Sequence, residues 1–306
     1  MSIEYVFTQM MILFSVLIIG YISNKAGFID SVSNKKLSSI VLNLALPLKM
    51  LSSLNEANCT SEDILVMLGA GVCVFAFLIL FSKLVPIILH IKGKEKPIVE
   101  FMTIFSNNGF MGYPVIETIL GASALIYASI YDMLYSVVVF SYGVFLFQKS
   151  KSESGKIEWK KMISTASVAG FATMILAILG VRLPEVPYEV FLMIGNTATP
   201  LSMLVIGSTL AAIPLKEVFK GSKVYFFTVV RLVAVPLLVY GVFHPFISNE
   251  LIFGTIVLVN AMPCAATTVM FAEQYESNSE MAAQHVFITT LLSVLTIPVI
   301  GYLLFI

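Results

Sequence analysis

Apolar positions in this chain follow neither the alternation of a half-buried strand nor the narrow stripe of a surface helix. They run in blocks of about 20 residues, the length a helix needs to cross a bilayer. Ten such blocks are predicted as spans: Tyr5–Tyr21, Leu37–Leu54, a third from the acidic Ser61-Glu62-Asp63 cap toward His90 with Pro86 ending or kinking it, Ile98–Leu120, Ala124–Phe147, Met162–Gly180, Tyr188–Ala212, Tyr225–Phe243, Glu250–Ala272 and Met281–Leu304. The one clearly hydrophilic stretch, Gln148 to Lys161, is rich in Ser, Lys and Glu and reads as a solvated linker. It divides the chain into a five-span half (1–147), a linker (148–161) and a second five-span half (162–306). The expected fold is an all-α integral membrane protein.

Composition agrees: 58% of the 306 residues are hydrophobic and 12% charged, and the mean hydropathy is +0.95, far outside the soluble range. Eighteen basic and 18 acidic residues cancel, which leaves no nucleic-acid footprint. Cys59, Cys73 and Cys264 have no metal-type spacing, and no HExxH or GxSxG motif is present, so neither a metal, a cofactor nor an enzyme is expected. The apolar N-terminus lacks a basic leader and carries Glu4, which reads as a retained first span.

The loops after spans one, three, five and seven hold Lys25, Lys35, Lys36; Lys92, Lys94, Lys96; Lys149, Lys151, Lys156, Lys160, Lys161; and Lys216, Lys220, Lys223. The opposite loops hold only Arg182. Basic residues stay inside, so this fourteen-to-one bias places the linker in the cytoplasm of a cell (plasma) membrane protein and both termini outside. The loop after span nine carries Glu273, Glu276 and Glu280 instead, but acidic residues weigh little in the rule.

Two spans contain faults. Ser106-Asn-Asn-Gly-Phe-Met-Gly-Tyr-Pro114 interrupts span four, and Asn260-Ala-Met-Pro263 interrupts span nine. Proline removes a backbone hydrogen bond and clashes with the preceding turn, and freed backbone groups at membrane depth survive only where protein buries them or water reaches them. Paired interruptions in two halves mark a transporter's binding site. A second pair, Asn43-x-x-x-Pro47 and Asn196-x-x-x-Pro200, recurs in spans two and seven. With five spans per half, matched halves have opposite topology, giving two inverted repeats.

Gly27-Phe-Ile-Asp30, Leu46-Pro47, Asn107 to Pro114 with Gly112-Tyr-Pro, Pro200-Leu-x-x-x-x-Ile-Gly207, Arg231 with Pro236, Ala261-Met-Pro263 and Thr289-Thr290-Leu-Leu-Ser-x-x-Thr296-x-Pro298 together resemble the auxin efflux carrier family over essentially the whole chain. The short linker resembles its prokaryotic members. The resemblance implies a ten-helix secondary transporter in which helices four and nine cross at mid-membrane. Helices three to five and eight to ten would form a mobile transport domain on a scaffold of one, two, six and seven, an elevator mechanism. It also implies a small organic anion as cargo, auxin-like or a malate- or malonate-type dicarboxylate.

The residues agree with an anion site. A half-helix N-terminus offers free N–H groups and partial positive charge. Pro114 and Pro263 suit the starts of the second halves. Asn107, Asn108 and Asn260 can donate to a carboxylate or cap the broken ends, and Gly109 and Gly112 permit close approach. Tyr113, Ala261, Asn43 and Asn196 complete the candidate substrate site. Asp132, Glu117 and Arg231 are charges at span depth, read as coupling groups, with protons as the partner ion, or as a structural pair with Arg231. Lys49 and Lys83 are expected to snorkel to an interface, and His90, His244 and His285 to lie at span ends. A homodimer through the scaffold helices is left open. Two alternatives stand beside the carrier: a sodium-coupled symporter of the bile-acid type, and a non-transporting membrane sensor on the same fold.

Overall fold

The computed structural model describes residues 3–56, 59–150, 165–212, 219 and 221–303. They are helical throughout, with a single isolated bridge and no strand among them. Six helices are long and apolar enough to cross a membrane: Ser31–Asn55, Ser61–Ile88, Ala122–Phe147, Glu185–Ala212, Ser222–Phe246 and Ser279–Leu303. The other four blocks read from the sequence are helical over Ile3–Lys25 and Thr165–Ile178. The last two come in two pieces each, Lys96–Ile104 with Tyr113–Leu120 and Glu250–Ala261 with Thr267–Gln274. Lys151 to Lys161 of the expected linker lie outside the described residues.

Local chemistry sets the ends. After Ile3–Lys25 the chain turns through Gly27 at φ +82°, a conformation that penalises any Cβ, while the Phe28 N–H donates back to the Ser23 carbonyl at 2.9 Å. Asp30 then caps Ser31–Ile40, its carboxylate accepting from the Ser33 N–H at 2.7 Å. Thr60 and Asp63 form a reciprocal capping box at the start of Ser61–Ser82. Asn249 caps Glu250–Ala261.

Among the described residues four helices contain a π-turn: Val41–Ala45, Asn108–Gly112, Val139–Gly143 and Val230–Ala234. In three of them a proline follows the last π residue by two positions, as Pro47, Pro114 and Pro236. A proline ring crowds the preceding turn and supplies no N–H, so widening that turn relieves both faults without ending the helix.

Polarity is inverted relative to a soluble protein. Ile12, Ile18, Leu65, Leu80, Val186, Met193 and Leu295 face outward, whereas Arg231, Asn260, Thr289 and Ser293 are fully buried. That is how a chain packs when its solvent is hydrocarbon. His285 corrects an expectation. It is 2% exposed and stands edge-on to Phe227 at 5.2 Å, because Ser222–Val229 packs over the start of Ser279–Leu303 and seals it from the interface.

Two sets of helices can be traced in the packing, joined where Thr165–Ile178 lies on Leu125–Val138 and Ile3–Lys25 on Ser279–Leu303. Ile3–Lys25 lies along Ala198–Ala212 so closely that a Cβ on Gly207 would come 1.9 Å from the Leu17 carbonyl oxygen, and one on Gly20 would come 2.4 Å from that of Leu204. Leu46–Glu56 packs on Glu185–Gly195 and Thr165–Ile178. The second group joins Ser61–Ser82, Lys96–Ile104, Leu125–Val138, Val235–Phe243, Glu250–Ala261 and Ser279–Leu303 around the two broken helices. Phe101, Phe105, Phe147, Phe271 and Tyr275 form a chain of rings with neighbouring centroids 4.4–6.0 Å apart, which reaches the first break at Phe105.

Candidate functional site

The first broken helix stops at Ile104, where Phe105 turns extended, and resumes through Asn108–Gly112 into Tyr113–Leu120. The second stops at Ala261 and resumes at Thr267. Between them Ser106 and Cys264 form an antiparallel bridge: the Asn107 N–H donates to the Pro263 carbonyl at 2.9 Å, and the Ala265 N–H to the Phe105 carbonyl at 3.2 Å. Unwinding alone would leave these four backbone groups without partners in a dry interior. Each break is therefore satisfied by the other.

The two breaks differ in what they leave over. In the second, Cys264 N–H donates to Thr289 Oγ1 at 3.2 Å, and the Thr289 hydroxyl donates to the His285 carbonyl at 2.7 Å. The Cys264 N–H is thus occupied, while the buried Thr267 and Thr268 hydroxyls at the start of the resumed helix have no partner among the described residues. In the first, the Gly109, Phe110 and Met111 N–H groups precede the first bond of the π-turn, from the Gly112 N–H to the Asn107 carbonyl at 3.0 Å, and have no acceptor within the helix. Asn108 adds to this surplus. Its Oδ1 accepts from the Ser106 hydroxyl at 2.8 Å, which orients the amide, while its buried Nδ2 has no partner among the described residues. The buried Tyr113 hydroxyl also lacks one.

Three expectations about this site are corrected. Pro114 occupies the first turn of its half-helix as expected, but Pro263 lies in the extended crossing, four residues before Thr267, and contributes an acceptor to the bridge. Asn260 does not offer a donor, because its Nδ2 already donates to the Tyr131 hydroxyl at 3.1 Å and to the Ile256 carbonyl at 2.8 Å. It ties Glu250–Ala261 to Leu125–Val138 instead. Asn43 and Asn196 are not brought to the crossing. Asn43 is exposed and accepts from the Thr165 hydroxyl at 2.8 Å, and Asn196 follows the end of Glu185–Gly195.

The charges also pair otherwise than expected. Glu117 meets Lys49 at 2.5 Å, and Lys49 Nζ donates to Asn196 Oδ1 at 2.6 Å. Lys49 is only 5% exposed and does not snorkel, because Gly195 lets the two helices approach until a Cβ there would be 2.8 Å from the Lys49 Cα. This ion pair connects the first broken helix to the other helix group. Arg231, in the π-turn Val230–Ala234, is fully buried and pairs with neither Glu117 nor Asp132. Its Nη1 donates to the Asn260 carbonyl at 3.1 Å, at the carboxyl end of Glu250–Ala261, where a cation offsets the helix dipole. Its Nε and Nη2 have no partner among the described residues. Asp132, on Leu125–Val138, is partly accessible and has no hydrogen bond or ion pair among the described residues.

Sequence reasoning did not single out Tyr131 or the partnership of Lys49, and Ser106 entered only as the first residue of the break, with no role of its own. Thr289 likewise appeared only as part of the motif near the C-terminus.

A broken-helix crossing with excess donors is an arrangement of membrane carriers, and the sequence comparison agrees. The model of the family described as membrane transport protein matches residues 5–170 and 153–301. The chain belongs to this family, that of the auxin efflux carriers. An uncharacterized transporter of Methanocaldococcus jannaschii is 24% identical over 305 residues, 96% of this chain and 97% of that protein. One from Methanothermobacter thermautotrophicus is 24% identical over 285 residues, 92% of each chain. The uncharacterized transporter YfdV of Escherichia coli K12 is 21% identical over 294 residues, again 92% of each. The family's members here are transporters rather than enzymes by name, and the chain is a multi-span membrane protein like them.

Proposed function

We propose that this protein is a secondary carrier of small organic anions in the plasma membrane, with the cargo's carboxylate held at the first break. The observation that carries the reading is the buried Asn108 Nδ2, without a partner among the described residues, beside the N–H groups of Gly109 to Met111 that begin the half-helix. Donors without acceptors in a buried site favour an anion. Elevator-type alternating access fits the two helix groups. The scaffold would be the first, second, sixth and seventh helices, and the group around the crossing would move, in ten helices forming two inverted repeats. The lysine asymmetry supports both termini outside.

Transport by purified protein in liposomes tests this, using mono- and dicarboxylates with imposed pH and sodium gradients. Uptake of at least one carboxylate is expected. No uptake with any of them would overturn the carrier reading, and uptake that requires sodium would favour the bile-acid-type symporter.

A further inference from the structure

In a continuous helix each carbonyl accepts from the N–H four residues ahead. At the second break that ladder is dismantled residue by residue. Pro263 has no N–H to give to Val259, whose carbonyl takes only a long bond from the Met262 N–H at 3.4 Å. The Cys264 N–H, due to the Asn260 carbonyl, goes to Thr289 Oγ1 at 3.2 Å. The Ala265 N–H, due to the Ala261 carbonyl, crosses to the Phe105 carbonyl at 3.2 Å. Glu250–Ala261 therefore ends in a buried cluster of oxygens. The Asn260 and Ala261 carbonyls have lost their helical donors, and the Asn260 Oδ1 has no partner among the described residues.

A single donor from another helix replaces the lost ones at Asn260. Arg231 Nη1, from the π-turn Val230–Ala234, reaches that carbonyl at 3.1 Å. No ion pair to Arg231 forms among the described residues, and its Nε and Nη2 stay without partners there. A fully buried cation is expensive at membrane depth, and a neutral amide could satisfy one carbonyl without that cost. What only the guanidinium adds is positive charge at the negative end of a helix dipole, in an interior of low dielectric. Helix carboxyl ends and unwound carbonyls of broken helices are where carriers hold a coupling cation.

We propose that Arg231 is the resident cation of the crossing: its guanidinium occupies the position that a sodium ion would otherwise take at the end of Glu250–Ala261. A tethered cation is released on neither side of the membrane, so it draws nothing from an ion gradient. It keeps the helix end neutralised whether the carrier is loaded or empty. The second break then binds no metal cation while the arginine is present, and removing the arginine opens a site for one. Occupancy of this position is independent of the carrier reading, whereas sodium-independent transport rests on it.

The test follows thermal unfolding of purified full-length protein in sodium chloride and in choline chloride of equal ionic strength, with binding of radioactive sodium measured alongside. Arg231→Gln keeps a donor and drops the charge, Arg231→Ala removes both, and Arg231→Lys keeps the charge without the fork. Wild-type and Arg231→Lys protein are expected to unfold at the same temperature in both salts and to bind no sodium. Arg231→Gln and Arg231→Ala should unfold earlier in choline and regain a few degrees, saturably, on titration with sodium or with millimolar guanidinium ion. Where Arg231→Ala does not fold, the contrast between Arg231→Gln and Arg231→Lys decides. Folded Arg231→Gln protein that answers to neither cation would overturn the proposal, as would Arg231→Lys protein that answers as Arg231→Gln does. Saturable sodium binding to the wild type alone would also overturn it. In liposomes, wild-type uptake of acetate, lactate, benzoate or malonate should be unchanged when choline replaces sodium, and uptake that needs sodium would sink the idea. Absence of uptake with all four counts against the carrier reading and leaves the unfolding result to stand by itself.

Discussion

Two asparagines that look alike in sequence have different work in the structure. Asn108 keeps a free Nδ2 beside the unpaired N–H groups of the first break, so Asn108→Ala should weaken carboxylate binding by about 10- to 100-fold with little change in thermal unfolding. Asn260 uses its amide hydrogens on Tyr131 and Ile256, so Asn260→Ala should lower stability by about 1–3 kcal/mol and affect binding less. Calorimetry and unfolding on the same two variants check both, and reversed effects would mean that the donors are misassigned. Asp30 gives a pH prediction outside the membrane. Hydrogen bonds from the Ser33 side chain and backbone hold its carboxyl below the ordinary value. A lowered folded value means that the cap's contribution is present above the unfolded pKa and fades as pH falls through the folded one. Asp30→Asn should therefore flatten the acid limb of a stability–pH curve slightly. Which residues are charged inside the membrane was legible in the sequence, but their partners were not. Lys49 stands seven residues before the end of Leu46–Glu56, where snorkelling is the usual outcome, and the carboxylate that retains it is 68 positions away.

At the scale of elements, prolines and apolar block lengths are one-dimensional signals, and the breaks in both crossing helices were readable from them. The direction of each break was not, because it depends on which neighbour supplies the missing acceptors. The Pro114→Ala variant restores an N–H next to a π-turn that exists to accommodate the ring, and should straighten the half-helix and reduce binding more than Asn108→Ala does. Hydrogen exchange at Gly109 to Met111 would report the change, and unaltered exchange would argue against it. Gly207→Ala drives a methyl group into the Leu17 carbonyl, so the first and seventh helices must separate, at about 1–3 kcal/mol or more in thermal unfolding. The Lys49–Glu117 pair joins a helix of one group to a helix of the other. Breaking a fully buried pair costs about 3–5 kcal/mol, and less is expected here because Glu117 is 27% exposed. Glu117→Gln should also shift the balance between conformations, read by single-molecule distances between the two groups, and an unshifted distribution would reduce the pair to a structural contact.

For the whole molecule, the sidedness inferred from lysines predicts that a cysteine at Lys156 is labelled only from the cytoplasm and one at Ile306 only from outside. Labelling of both from one side would reverse or break the topology. The helical class and the place of the crossing came through in the sequence because they depend on local composition. The charge pairs, the covering of His285 and the unequal breaks did not, since each is decided by residues from different thirds of the chain. The bridge between Ser106 and Cys264 has one more consequence, for biogenesis. Its two residues are 158 positions apart, so at about 5–20 residues per second of synthesis the first break waits roughly 8–30 seconds for its partner. During that interval the Phe105 carbonyl and the Asn107 N–H have no protein partner, and a nascent helix hairpin carrying them is poorly suited to hydrocarbon. The first half should therefore linger at the insertion machinery or the interface and enter the bilayer fully only when the second half arrives. Residues 1–147 made alone should be degraded quickly in pulse-chase labelling and rescued by co-expressed 148–306; a long-lived, protease-resistant first half would show that insertion does not wait.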